Sequence, residues 1–101
     1  MPTLKIDLQE GFGGDHVVVQ VDDSVVYDKK DVRTRMQLGL ADSVQVETGT
    51  KARLTVRLPM KAIEGVTTVH VEKTPNIGVK VEGKEIRFDF PPEGQVMFGY
   101  V

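Results

Sequence analysis

Few side chains in this sequence can do acid–base or nucleophilic work. His16 and His70 are its only two histidines, and it has no cysteine, which removes thiolate catalysis, disulfides and Cys-ligated zinc together. Proton transfer needs a base within hydrogen-bond reach of its partner. Asp15 directly precedes His16, but neighbours along a strand point to opposite faces, so this pair is poorly placed to act together. His70 lies between Val69 and Val71, which the alternation turns inward, so its ring is expected to face solvent. Ser24 and Ser43 fall at turns, and neither sits in a G-x-S-x-G elbow. The supply of residues points away from an enzyme.

Three groupings could bind instead. Asp15, Asp22 and Asp23, with Asp28 and Asp31 further on, are the candidate calcium ligands, because loop ends of β-sandwiches can offer the six to eight oxygens that the ion takes. Their spacing matches no EF-hand loop, and Lys29 and Lys30 stand among them. Gly11–Phe12–Gly13–Gly14–Asp15 has the composition of a phosphate-cradling loop. Such loops lead into a helix N-terminus, however, and this one leads into Val17–Val18–Val19, so a connection between strands is expected. Arg33 and Arg35, like Arg53 and the more distant Arg57, project from one face of their strands. If the two strands are neighbours, the stripe could meet an acidic partner or anionic ligand. Otherwise it is a solvated face balanced by Glu47, Glu72 and Asp89 through weak cross-strand pairs. Aromatic residues do not interleave with these arginines as they do in single-strand nucleic-acid binders. A net charge of −2, from 13 basic and 15 acidic residues, gives no electrostatic reason to expect nucleic acid or anionic lipid.

The elements that must position these groups are strands. Ile77, Val79 and Val81 alternate with small or charged residues, as do Ile86, Phe88 and Phe90, and Glu82–Gly83 supplies a tight turn between the two runs. Leu4, Ile6 and Leu8 mark a first strand. Val17, Val19 and Val21 form an inward set that turns at Asp22–Asp23 into Val25–Val26–Tyr27. Asp28 to Asp31 is expected to be a charged connection, followed by a strand-like pattern from Val32 to Leu40. Val44 and Val46 continue inward to a hairpin connection at Thr48–Gly49–Thr50–Lys51, and Leu54, Val56 and Leu58 precede Pro59, which ends the ladder for want of an N–H. Met60 to Glu64 is expected to be a crossover too short for a stable helix. Val66 to Val71 is a further strand, and after a bend at Pro91–Pro92–Glu93–Gly94 the residues Val96, Phe98 and Tyr100 make a closing one.

Eight to ten short strands in 101 residues predict one domain, 1–101, folded as an antiparallel all-β sandwich of immunoglobulin-like or jelly-roll type. Crossover helices for an α/β fold are missing. No apolar run approaches the ~20 residues that span a bilayer, so no membrane association is expected. Met1 to Asp7 carries charges where a secretory h-region would lie, which makes the cytoplasm the expected location.

The run from Gly13 to Val26, GGDHVVVQVDDSVV, resembles the GD-x-V-x-V-x-VDG pattern of small β-sandwich modules, with Asp23 in place of the final Gly. Followed by Leu38–Gly39–Leu40–Ala41–Asp42–Ser43–Val44, it is similar to a group of short uncharacterised bacterial all-β proteins, from which no activity carries over. Carbohydrate-binding modules of the β-sandwich class share the hairpin pattern, some with calcium, although no Trp is present here to form a sugar platform. The expected function is therefore a non-enzymatic protein-interaction or assembly module that engages a protein partner or itself through a sheet edge, with Val96, Phe98 and Tyr100 as the favoured edge and homo-oligomerisation as one form of it. The alternative is a carbohydrate-binding module, with or without calcium, using the loops around Gly11–Asp15 and Asp22–Asp31. No other cofactor is expected.

Overall fold

Two-residue alternation becomes two stacked four-stranded sheets. In the computed structural model, which describes residues 2–35 and 39–90, the strands are β1 (Thr3–Leu8), β2 (Gly13–Val21), β3 (Ser24–Arg33), β4 (Asp42–Glu47), β5 (Lys51–Leu58), β6 (Ile63–His70), β7 (Asn76–Glu82) and β8 (Glu85–Asp89). Sheet A has the order β4-β1-β7-β8 and sheet B the order β3-β2-β5-β6. The fold is an all-β sandwich. The sheets meet at both flanks, with β4 against β3 at one corner and β8 against β6 at the other. No helix among the described residues is long and apolar enough to cross a membrane.

The inward sets are those the alternation marks. Leu4, Ile6 and Leu8 of β1, Val17, Val19 and Val21 of β2, Leu54, Val56 and Leu58 of β5, and Ile77, Val79 and Val81 of β7 are all buried. They come from the two central strands of each sheet, where both neighbours exclude water. Besides the buried Val32 of β3 and Val69 of β6, the flanking strands supply half-buried residues: Val26 and Tyr27, Val44 and Val46, Ile63, Ile86 and Phe88.

Several connections differ from expectation, each for a reason of pairing. Asp28 to Asp31 is not a linker but part of β3, where Lys29 pairs with Val17 and Asp28 with Val18. The charges are tolerated because β3 is an edge and they point to water. Asp31 takes φ 58°, and the β2–β3 register shifts three times. The strand-like pattern from Val32 instead ends at Arg33, and Arg35 and Leu40 form an isolated bridge. Thr48 to Lys51 crosses from sheet A to sheet B and is no hairpin. Conversely Pro59–Lys61, a 3-10 turn closed by Ala62 in the left-handed region, joins the antiparallel neighbours β5 and β6 and is no crossover. The organising hairpin turns at Gly83–Lys84, one residue later than expected, with Gly83 at φ 62°. The sandwich is not wholly antiparallel, since β1 and β7 run parallel at the centre of sheet A.

Candidate functional site

Each expected ligand set can now be located. Asp15 lies near the start of β2, whereas Asp22 and Asp23 follow its end, a separation of about 20 Å at ~3.3 Å per residue. Each of these carboxylates is also engaged. Asp15, almost wholly buried, accepts from the Gly13 N–H at 3.0 Å and meets Lys61 Nζ at 3.0 Å. Asp22 accepts from the Arg53 N–H at 3.1 Å, and Asp23 from the Arg53 guanidinium at 2.6 Å. The three form no common cation site, and no group of three His, Asp or Glu side chains with metal-holding geometry occurs among the described residues. Of the two loops of the carbohydrate-binding alternative, Gly11–Asp15 lies at one end of the sandwich beside Asp31, the far end of Asp22–Asp31, whereas Asp22–Asp23 lies at the other.

The arginines do not form one stripe, because β2 lies between β3 and β5. Their partners are also other than expected. Arg33 pairs with Asp31 at 2.9 Å, Arg53 with Asp23, and Arg57 with Glu64 of β6 at 3.9 Å. Arg35 is exposed in the connection after β3. Val96, Phe98 and Tyr100 lie outside the described residues.

Two polar constellations escaped the sequence reading, since both join distant positions. At the β3–β4 corner the Tyr27 hydroxyl donates to Asp42 at 2.8 Å, with Lys29 Nζ 3.5 Å from the same oxygen. Burial, then the hydrogen bond and charge of Asp42, push the Tyr27 hydroxyl well above its usual range. Burial raises the Asp42 carboxyl, but hydrogen bonds from Tyr27, the Ser43 N–H and Lys29 outweigh it and hold the group below its ordinary value. On the outward side of β1, Asp7 is nevertheless buried. It accepts from Asn76 Nδ2 at 3.1 Å and lies 3.6 Å from Lys5 Nζ. The signal for this cluster was an acidic residue and an asparagine at outward positions of two strands, which says nothing of their adjacency.

The histidines are separate. His16 Nε2 lies 2.6 Å from Asp28 Oδ1 on the outer face of sheet B, while His70 stands exposed across from Lys51. Shallow clefts among the described residues include about 490 Å³ beside Glu10, Phe12 and Thr34, about 390 Å³ between Lys61 and Lys84, and about 260 Å³ between Tyr27 and Arg35. Neither His lines any of them.

The four flanking strands differ most in how they treat their outer edges. An edge strand exposes unpaired N–H and C=O groups, and proteins blunt that template with charges, bulges or brevity. β3 carries five charged residues in SVVYDKKDVR and is bulged, β8 has three in EIRFD, and β4 has one at each end of DSVQVE. β6, IEGVTTVH, has Glu64 alone. It pairs with β5 over eight consecutive residues without a register shift, and no described residue pairs with its outer backbone edge over 63–69. Its outward Val66 is 55% exposed, beside Thr68, and Gly65 leaves space for Ile86 and Phe88 of β8 at the inner corner.

No family model, curated protein or solved structure matches this chain.

Proposed function

We propose that this chain is a non-enzymatic protein-interaction module that receives a partner strand on the β6 edge of sheet B. The observation that carries this reading is the contrast in edge protection among the described strands: β6 is paired without a register shift and carries Glu64 alone, whereas the other flanking strands are charged, short or bulged. Main-chain hydrogen bonds along such an edge provide affinity, and outward Val66 and Thr68 provide contacts for alternate side chains of the incoming strand.

Photo-crosslinking in the host cell tests the reading. A photoreactive amino acid replacing Thr68 should give discrete protein adducts that the same group replacing Lys30 on β3 does not give. Equal adducts at both positions, or none at Thr68, would rule it out.

A further inference from the structure

We infer that the strand received by β6 is β6 of a second copy, paired antiparallel about a two-fold axis through Thr67. This inference rests on the interaction reading above and adds the partner's identity.

Strand parity and side-chain charge select this register. In an antiparallel pair, directly opposed residues share a face of the sheet, and a two-fold axis perpendicular to the sheet keeps both cores on the same side. Odd-numbered β6 residues face the core, where Val69 is buried, and even-numbered ones face outward, where Glu64, Val66, Thr68 and His70 are exposed. Opposed residue numbers must therefore sum to an even value, so the axis passes through a residue and not between two.

An axis at Thr67 sets Glu64 opposite His70 twice, one anionic carboxylate against one imidazole at each end, with Val66 opposite Thr68 between them. An axis at Val66 sets Glu64 against Thr68 and leaves His70 beyond the paired core of the strand. An axis at Thr68 shortens the pairing and brings Glu64 toward Glu72, two like charges. Of these three axes only that at Thr67 sets an acidic residue opposite a basic one. Around this contact each Glu64 is also opposed by Arg57 of its own β5 and each His70 by Lys51, so a row across the junction reads Arg57, Glu64, His70, Lys51. The two copies of sheet B then form one continuous eight-stranded sheet, β3-β2-β5-β6 followed by its inverse.

The absence of cysteine makes single-cysteine crosslinking clean. Directly opposed Cα atoms lie about 5 Å apart, within disulfide reach, whereas residues offset by two positions lie about 8 Å apart and cannot bridge. Thr67→Cys should form a disulfide dimer under mild oxidation, and Val66→Cys and Thr68→Cys should not. The double variant Val66→Cys/Thr68→Cys should crosslink again. In the Thr67→Cys background, Glu64→Lys should lower the association constant several-fold, and adding His70→Glu should restore it. Sedimentation of the unaltered chain should show a concentration-dependent dimer.

Crosslinking through Val66→Cys or Thr68→Cys alone would overturn the Thr67 axis. A chain that stays monomeric at every concentration, with Thr67→Cys uncrosslinked, would overturn the second copy. In that event adducts of a different protein at position 68 would leave the interaction reading standing, and their absence would remove both.

Discussion

β3 and β6 flank the same sheet, rest on the same core and lie two strands apart, yet they are built on opposite principles. β3 is long, bulged and charged, with Asp31 in the left-handed region and Lys29 held to Asp42 across the corner. β6 is in register with β5 throughout and rich in Thr and Val. The lesson is that one core can carry a guarded edge and an unguarded one among its described strands.

The largest effect should come from the row that both edges share. Leu54 is fully buried and sits between Val21 of β2 and Thr67 of β6. Leu54→Ala should lower unfolding free energy by about 2–5 kcal/mol in a denaturant titration, loosening both flanks alike. A loss confined to one flank, seen by amide exchange, would show that the edges do not lean on one core.

A smaller effect should single out β6. A Cβ added at Gly65 would lie 2.9 Å from Ile86 Cβ and Cγ2, and Ile is stiff at this torsion. Gly65→Ala should cost about 1–3 kcal/mol through overpacking of the β6–β8 corner, with faster exchange in β6 than in β3. A neutral or stabilising result would mean the corner can open without strain.

Tyr27→Phe probes the opposite flank. The hydrogen bond to Asp42 joins an acceptor carboxylate that is about one-third exposed, so solvent screening should limit the loss to about 1 kcal/mol. Its pH dependence carries the sign. The folded Asp42 carboxyl is lowered from 3.8, so its stabilisation is present above about pH 4 and fades as pH falls through the folded value. The Tyr27 hydroxyl is raised from 10.0, so its stabilisation is present below pH 10 and fades as pH rises beyond it. The stability difference between parent and variant should therefore be greatest between these limits. A difference independent of pH would dissociate the pair from β3–β4 closure.

The smallest effect on monomer stability should accompany the largest on association. Val66→Lys/Thr68→Lys gives β6 the protection that β3 has, and should abolish self-association while changing stability by no more than about 0.5 kcal/mol. Lys30→Thr removes one guard from β3 and should leave that edge monomeric, because its bulges persist. Association transferred to β3 by this single change would show that charge, and not backbone regularity, is the guard.

Alternation in β1, β2, β5 and β7 was legible because central strands bury one face completely, and Leu4, Val19, Val56 and Val79 repeat at period two without exception. The flanks were harder. β3 reads as a connection because an edge strand need bury only one face partly, which lets Asp28–Lys29–Lys30–Asp31 remain in the ladder. Sheet membership could not be read from Thr48–Gly49–Thr50 or from Pro59–Met60–Lys61, since turn chemistry fixes a local bend and not which sheet receives the next strand. The carboxylate partners were hidden for the same reason: Asp22 and Asp23 bind Arg53, and Tyr27 binds Asp42, through strand order alone. The contrast between edges was present in composition, yet it acquires meaning only once β6 is known to be an edge.

The parallel alignment of β1 with β7 has a kinetic consequence. Lys5 opposes Asn76 across 71 positions, whereas β2–β3 and β5–β6 close through short turns. Distant ends meet slowly because loop closure restricts a long stretch before any contact repays it. Sheet B should thus serve as the template and sheet A as its late cover, with pulse-labelled exchange protecting β5 before β1; simultaneous protection would contradict that order. A nascent chain would hold Leu4, Ile6 and Leu8 open to chaperones until the seventh strand has left the ribosome.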